Sequence, residues 1–434
     1  MIATTASSTP SDRSTLYADI VGGVTTFFTM AYIVVVNPSI LAAPGTGLPF
    51  SGAMTATVLV AFSMTLLMGV YAKLPFAVAP GMGLNAFFAY TIVLQNKVPW
   101  PIALGIVFWA GVLFLIVSIT PLRERIAVAI PASLRVAAAA GIGLLLTFIG
   151  LRNAGLIQGD PTTLVRVGPM DHRAALLVVG LVVAVVLSRR DNPLAFLASV
   201  AVVTASGWLL GYARPPQQLV SRPDFSSAFL KLDVLGALRL ALAPSILAIL
   251  LTDFFDSLST FIGVANAAGL TEPDGRPINL RRGLIVDAFA TLGAGLAGSS
   301  SGTAFVESIA GIRMGGRSGR ASVVTALCFL PCFFIAPLAA AVPDYATAPV
   351  LILVGLAMFQ TVGVLDFGSV EDTLPAFVTI VLVPLTLSIT QGILWGFLLH
   401  AVLYTLTGRA REVSAPLWIL AALSAAFIVL EGRT

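Results

Sequence analysis

Apolar runs of about twenty residues, the length an α-helix needs to cross the hydrocarbon of a bilayer, recur from Tyr17 almost to Thr434. The charged residues that would keep so long a chain in water are missing. Only 10% of the 434 residues are charged while 58% are hydrophobic, against about 25% charged in ordinary soluble domains. No polar linkers divide the chain into soluble domains. A soluble enzyme and a disordered chain are both excluded. The expectation is an all-α polytopic membrane protein of about 14 transmembrane helices, embedded as a multi-pass protein in the cell membrane.

The runs predict spans over 18–41, 52–71, 75–93, 101–119, 131–150, 172–189 and 193–211. A polar stretch with an amphipathic segment, 212–242, separates these from a second set over 243–267, 281–298, 301–313, 318–341, 347–364, 372–388 and 390–408. A further apolar run, 415–431, reads either as a fifteenth span or as a helix lying against the bundle. The domain boundaries follow: a tail 1–16, a first seven-helix repeat 17–211, the long loop 212–242, a second repeat 243–408 and a C-terminal segment 409–434.

Placing the N-terminus in the cytoplasm puts Lys73, Arg123, Arg125, Arg189, Arg190, Arg276, Arg281, Arg282, Arg313, Arg317, Arg320, Arg409 and Arg411 in inner gaps. The short outer gaps are nearly free of basic residues, as the positive-inside rule requires. The net charge of +4 therefore reflects topology, and no nucleic-acid partner is expected. The polar first fifteen residues do not read as a cleavable signal peptide. Cys328 and Cys332 read as buried small residues. There is no HExxH, nucleotide-binding loop or zinc spacing, so no metal, no cofactor, no ATP-driven step and no enzyme activity is expected.

Spans 3 and 10 are short and begin with residues that do not favour helix: Pro80-Gly-Met-Gly-Leu-Asn85 and Gly298-Ser-Ser-Ser-Gly-Thr303. Interrupted spans at matching places in two halves point to a transporter site near the midplane. An odd number of spans per half inverts the halves relative to each other. The extended Ser301-Gly302-Thr303 segment exposes backbone N–H groups, and Glu307 is expected about one turn into the helix that follows. Asn85 offers both donor and acceptor to the edge of a heterocycle. Asp253 and Asp256, three residues apart in span 8, share a helix face, and charge at membrane depth is usually functional. Phe254 could stack on a ring. Thr26, with Thr25, Thr29 and Asn37, forms a polar stripe in span 1. Asp287 is a further intramembrane acid. Carboxyls in a dry cavity can take up a proton near neutral pH, which makes Asp253, Glu307 and Asp256 the candidates for proton coupling.

Taken together, Gly22-Gly-Val-Thr-Thr-Phe-Phe-Thr-Met-Ala-Tyr with Asn37-Pro38, Pro80-Gly-Met-Gly-Leu-Asn85, Asp253-Phe-Phe-Asp-Ser-Leu-Ser-Thr-Phe-Ile-Gly, Gly298-Ser-Ser-Ser-Gly-Thr-Ala-Phe-Val-Glu307 and Gly315-Gly-Arg-Ser-Gly319 resemble the AzgA-like purine permeases, over about residues 17 to 410. The resemblance implies a 7+7 inverted repeat with short extended segments in spans 3 and 10. It implies a core domain from 17–119 and 243–341 and a gate domain from 121–211 and 345–408. It implies that Asp253, Glu307 and Asn85 hold the substrate, that purine nucleobases (adenine, guanine or hypoxanthine) are imported by proton symport, and that the protein is a homodimer. Carriers of pyrimidines, xanthine or small anions, and passive channels, are the alternative readings.

Overall fold

The protein is seen in a computed structural model that describes residues 16–120, 130–272, 277–366 and 368–431. Arg123, Arg125, Arg276 and the tail before Leu16 lie outside the described residues.

Two short helices, α1 (Leu16–Met30) and α2 (Ile33–Leu41), make up the first span, which breaks at Ala31 and Tyr32. α3 (Phe50–Leu67) continues through a π-turn at Met68–Ala72. The third span opens as a strand, β1 (Val78–Pro80), turns at Gly81 into α4 (Met82–Ala86) and finishes as a π-helix at Phe87–Gln95. α5 (Trp100–Ile119) and α6 (Ala132–Asn153) follow, then a hairpin of β2 (Ile157–Asp160) and β3 (Leu164–Val167). α7 (His172–Ser188) and α8 (Ala195–Leu209) complete the first half.

The second half repeats this order. It runs through α9 (Ala243–Ala268), α10 (Leu280–Ala297), β4 (Gly302–Ala304), α11 (Ser308–Arg313), α12 (Gly319–Phe329) and α13 (Ala336–Ala340). α14 (Asp344–Phe359), α15 (Val370–Thr386) and α16 (Ile389–Leu406) then close the set of fourteen spans. The leftover apolar run is a helix, α17 (Ala415–Glu431), packed on α16. Seven of the described helices are long and apolar enough to cross a bilayer singly. The others are shorter or broken, which membrane protein tolerates where neighbouring segments satisfy the backbone.

The halves interleave: α12 packs along α1 and α3, α10 along α5 and α3, and α14 and α15 along α6. Close approach depends on glycine where backbones meet. A Cβ on Gly311 of α11 would overlap the Thr26 hydroxyl and the Gly22 carbonyl of α1. Gly298 ends α10 at φ 98°, a left-handed conformation that a residue with a Cβ adopts only with strain. That turn releases the chain into the extended serine segment.

The long loop forms a strap of irregular chain and short 3-10 turns tied to α3, α5 and α10. Asp224 accepts from the hydroxyls of Ser51 (2.7 Å) and Ser227 (2.6 Å), and its own N–H donates to Thr55 Oγ1 (2.9 Å). The N–H of Leu230 bonds the carbonyl of Leu296 (2.8 Å), and that of Asp233 bonds Pro101 (2.8 Å). Trp109 Nε1 donates to the carbonyl of Val234 at 3.0 Å. The amphipathic piece expected at its end forms only two single turns, Gly236–Leu238 and Leu240–Leu242.

Candidate functional site

The two broken spans meet. β1 and β4 pair antiparallel, with Val78 opposite Ala304, Ala79 opposite Thr303 and Pro80 opposite Gly302. The N–H of Gly81 extends the pairing to the Ser301 carbonyl (2.9 Å), and that of Phe305 to the Ala77 carbonyl (2.9 Å). The outer edge of β1 is satisfied by Thr65 of α3, whose hydroxyl is 2.9 Å from both the N–H and the C=O of Val78. Non-helical backbone is thus stabilised inside the bundle because both sides of β1 find protein partners.

Three consecutive serines leading into β4 reach three different elements. Ser299 Oγ accepts from the Asn37 amide of α2 at 3.2 Å, and that amide also donates to Thr57 at 2.7 Å. The hydroxyl of Ser300 donates to Asn85 Oδ1 on α4. That of Ser301 donates to Asp253 Oδ2 on α9 at 2.5 Å. With its carbonyl engaged by Ser300, Asn85 keeps its amide nitrogen as the freer group, 3.8 Å from Met82 Sδ. Asn85 lies within α4 and does not cap it.

Asp253 and Asp287 are both fully buried. They stand on neighbouring helices with reciprocal partners four residues along. Thr291 of α10 donates to Asp253 of α9, and Ser257 of α9 donates to Asp287 of α10. The spacing i, i+4 puts each acid and hydroxyl on one helix face, so the two helices form a ladder of two rungs. β4 closes it. Ser301 and Thr303, which strand alternation places on the same side, reach the first and second rungs respectively. Ser301 Oγ lies 2.9 Å from Thr291 Oγ1, and Thr303 Oγ1 lies 3.1 Å from Ser257 Oγ. Thr291 Oγ1 also lies 3.1 Å from the Gly302 carbonyl.

Asp256 and Glu307 are different in kind. Both residues are only partly buried. Glu307 is not one turn inside a helix. It occupies the N-cap position of α11, because the chain after β4 turns through Phe305 and Val306 before helix begins at Ser308. Its Oε1 accepts from the hydroxyl of Tyr32 at 2.7 Å. Among the described residues, no lysine or arginine pairs with Asp253, Asp256, Asp287 or Glu307.

The remaining residues singled out from sequence are placed as follows. Thr26 is buried beside Gly311. Phe254 is fully buried, edge-on to Phe114 of α5 at 5.8 Å and to Phe255 at 5.3 Å. It is Phe255 that meets a cation, the Arg135 guanidinium of α6, 5.5 Å from its ring centre. Tyr32, Ser257, Thr291 and Arg135 escaped the reading of the sequence. Two of them carried a usable signal, since Ser257 and Thr291 each lie four residues after an intramembrane aspartate.

Fourteen spans, two of them interrupted and paired through short strands, with carboxyls gathered at the junction, define a secondary transporter of the polytopic membrane class. The chain belongs to the Permease family, whose pattern matches residues 18–394. It is 38% identical over 411 residues to the adenine permease AdeP of Escherichia coli, covering 94% of this chain and 92% of that one. It is 37% identical over 410 residues to the guanine/hypoxanthine permease PbuO of Bacillus subtilis, covering 92% and 94%. Among solved structures, the transmembrane domain of the cyanobacterial bicarbonate transporter BicA superposes with a TM-score of 0.63 at 18% identity, covering 88% of this chain and 97% of that chain. That last likeness concerns the fold alone.

Proposed function

We propose that this protein imports purine nucleobases (adenine, guanine or hypoxanthine) by proton symport. One observation carries the reading: four acids gather at the strand crossing, Asp256 and Glu307 as partly buried residues and Asp253 and Asp287 as fully buried ones. Purine bases present ring N–H and amino donors on one plane, and two carboxyls with no lysine or arginine partner among the described residues are acceptors for such donors. The Asn85 amide supplies a donor for a ring nitrogen or carbonyl. Ser301, Gly302 and Thr303 form the wall behind, with Asp253 against them, and Thr26 and Phe254 pack the surrounding shell. The names of the relatives, adenine and guanine/hypoxanthine permeases, agree with this substrate class. A small-anion carrier calls for a cation at the site, and no lysine or arginine pairs with these acids among the described residues.

In this reading spans 1–4 and 8–11 form a core that carries the site and rocks against a gate of spans 5–7 and 12–14, exposing it to alternate sides. The N-terminus lies in the cytoplasm, as the bias of Lys73, Arg189, Arg190, Arg281, Arg282, Arg409 and Arg411 toward inner gaps supports. The protein acts as a homodimer without a nucleic-acid partner. Uptake of radiolabelled adenine, guanine and hypoxanthine into proteoliposomes, with cross-competition and with or without an inward proton gradient, tests the proposal. Saturable uptake that accumulates only with the gradient is expected, and is lost in Glu307→Ala and Asp256→Ala. Gradient-independent uptake removes the coupling, and wild-type uptake in both variants removes the site.

A further inference from the structure

Arg135 stands one turn into α6 and is partly buried. An arginine keeps its charge at any ordinary pH. Among the described residues no carboxylate pairs with it. Its Nε is buried and finds no acceptor there either, and a buried N–H left without an acceptor is costly. What the guanidinium does meet is the Phe255 ring of α9, at 5.5 Å. A cation–π contact uses the charge and none of the N–H donors. Successive side chains of an α-helix are about 100° apart. Going round α9, Asp253 meets α10 through Thr291, Phe255 meets α6 under Arg135, and Asp256 falls between them. Seven residues along α6, and so on the same face as Arg135, Ile142 packs so closely on Gly83 that a Cβ there would overlap it. Gly83 is two residues before Asn85 in α4. One face of α6 therefore runs from the Asp256 side of the site to the Asn85 side, with the guanidinium at one end.

We propose that Arg135 is a specificity-determining residue that reads the 6-position of the base and selects the 6-oxopurines, guanine and hypoxanthine, over adenine. This deepens the purine reading above and rests on it. In its N9–H form a 6-oxopurine carries two adjacent acceptors, O6 and N7, and a guanidinium fork matches that pair with two parallel N–H donors. Adenine offers N7 beside an amino group that is itself a donor, so the fork gains one acceptor and faces a second donor. The neighbouring edge of a 6-oxopurine carries N1–H and, in guanine, the 2-amino group. Those are donors for Asp256 and Glu307. One cation beside Asp253, Asp256, Asp287 and Glu307 does not make an anion site, and the carbonyl it meets is neutral. Because α6 belongs to the proposed gate and α9 to the proposed core, the base is read where the two bodies meet.

The test uses the full-length protein in proteoliposomes, with uptake of radiolabelled adenine and hypoxanthine competed by unlabelled bases. Arg135→Gln keeps a donor but loses the charge and the fork. In it we expect the inhibition constants of guanine and hypoxanthine to rise about tenfold, the loss of one bidentate pair, while that of adenine stays within about twofold of wild type. 7-Deazaguanine has a C–H in place of N7. It should compete about tenfold less well than guanine against the wild type, and as well as guanine against Arg135→Gln. Equal weakening of all three bases, which a merely structural Arg135 gives, overturns the proposal, and so does no change. A wild type that prefers adenine to both oxopurines overturns it as well. Should Arg135→Gln fail to fold, Arg135→Lys keeps the charge and the apolar stem and loses only the fork. A selective rise for the two oxopurines, of about threefold or more, is expected there, and unaltered selectivity overturns the proposal. Failure of the wild type to take up any of the three purines refutes the purine reading and this assignment with it. Purine uptake whose selectivity is the same in wild type and both variants refutes the assignment alone.

Discussion

The hydroxyl of Tyr32, at the break between α1 and α2, donates to Oε1 of Glu307 at 2.7 Å, while the same ring packs edge-on against Phe196 of α8 at 5.2 Å. A residue buried in an apolar run of the first span thereby orients an acid from the tenth and touches α8, the seventh span.

Replacing Tyr32 by Phe keeps the ring contact and deletes the donor. A hydrogen bond to a charged group contributes about 1.5–3 kcal/mol. Part of that goes into holding Glu307 in place, so KM for the base should rise about three- to tenfold with the melting temperature nearly unchanged. Uptake kinetics beside a thermal shift measurement check this. An unchanged KM means that Glu307 needs no orientation from Tyr32.

Gly311 is set by the approach of α11 to α1. Its Cβ would overlap Thr26 and the Gly22 backbone, and overpacking a fitted contact costs about 1–3 kcal/mol. Gly311→Ala should lower the melting temperature and the yield of monodisperse protein. Gly263→Ala, in open space on α9, should be neutral or stabilise by up to about 1 kcal/mol. Equal behaviour of the two would show that the helices separate without loss.

The strap predicts a pH dependence outside the membrane. The Ser227 hydroxyl, with those of Ser51 and Ser226, holds the Asp224 carboxyl well below the usual carboxylate range. A depressed folded value means the charged form is the one the fold favours. The stabilisation is present above about pH 4 and is lost as pH falls further, toward the folded value. Asp224→Asn should melt earlier than wild type at pH 7, and the gap should narrow below about pH 4. A gap that is constant with pH would mean that shape, not charge, is what the serines recognise.

Much of this molecule was readable from the chain because bilayer thickness imposes a length that repeats. The spans, the interruption at Pro80-Gly81 and the one at Ser299–Ser301 all follow from local chemistry: apolar length, proline and glycine. The pairing of β1 with β4 does not. Three residues such as Val78, Ala79 and Pro80 carry no strand pattern of their own, and they are extended because Thr65 and β4 complete their hydrogen bonds. Glu307 was displaced from its expected place for a related reason, since the strand consumed residues that looked like the first turn of a helix. Asp253 stood out as an intramembrane acid, yet its partners Thr291 and Ser301 are common helix-packing residues, and only a three-dimensional contact separates the two uses. Arg135 was hidden inside an apolar span and emerges only where its guanidinium lies over Phe255.

The strand crossing has a consequence for how the chain is made. Val78 must wait for Ala304, more than two hundred residues later in synthesis. Until the tenth span enters the membrane, β1 has only Thr65 to bond, and Asn85 lacks Ser300. The first seven helices can insert one by one, but the junction cannot form in instalments. A chain halted before residue 302 contains nine of the fourteen spans and none of the crossing, so the junction is assembled only after most of the bundle is already in place.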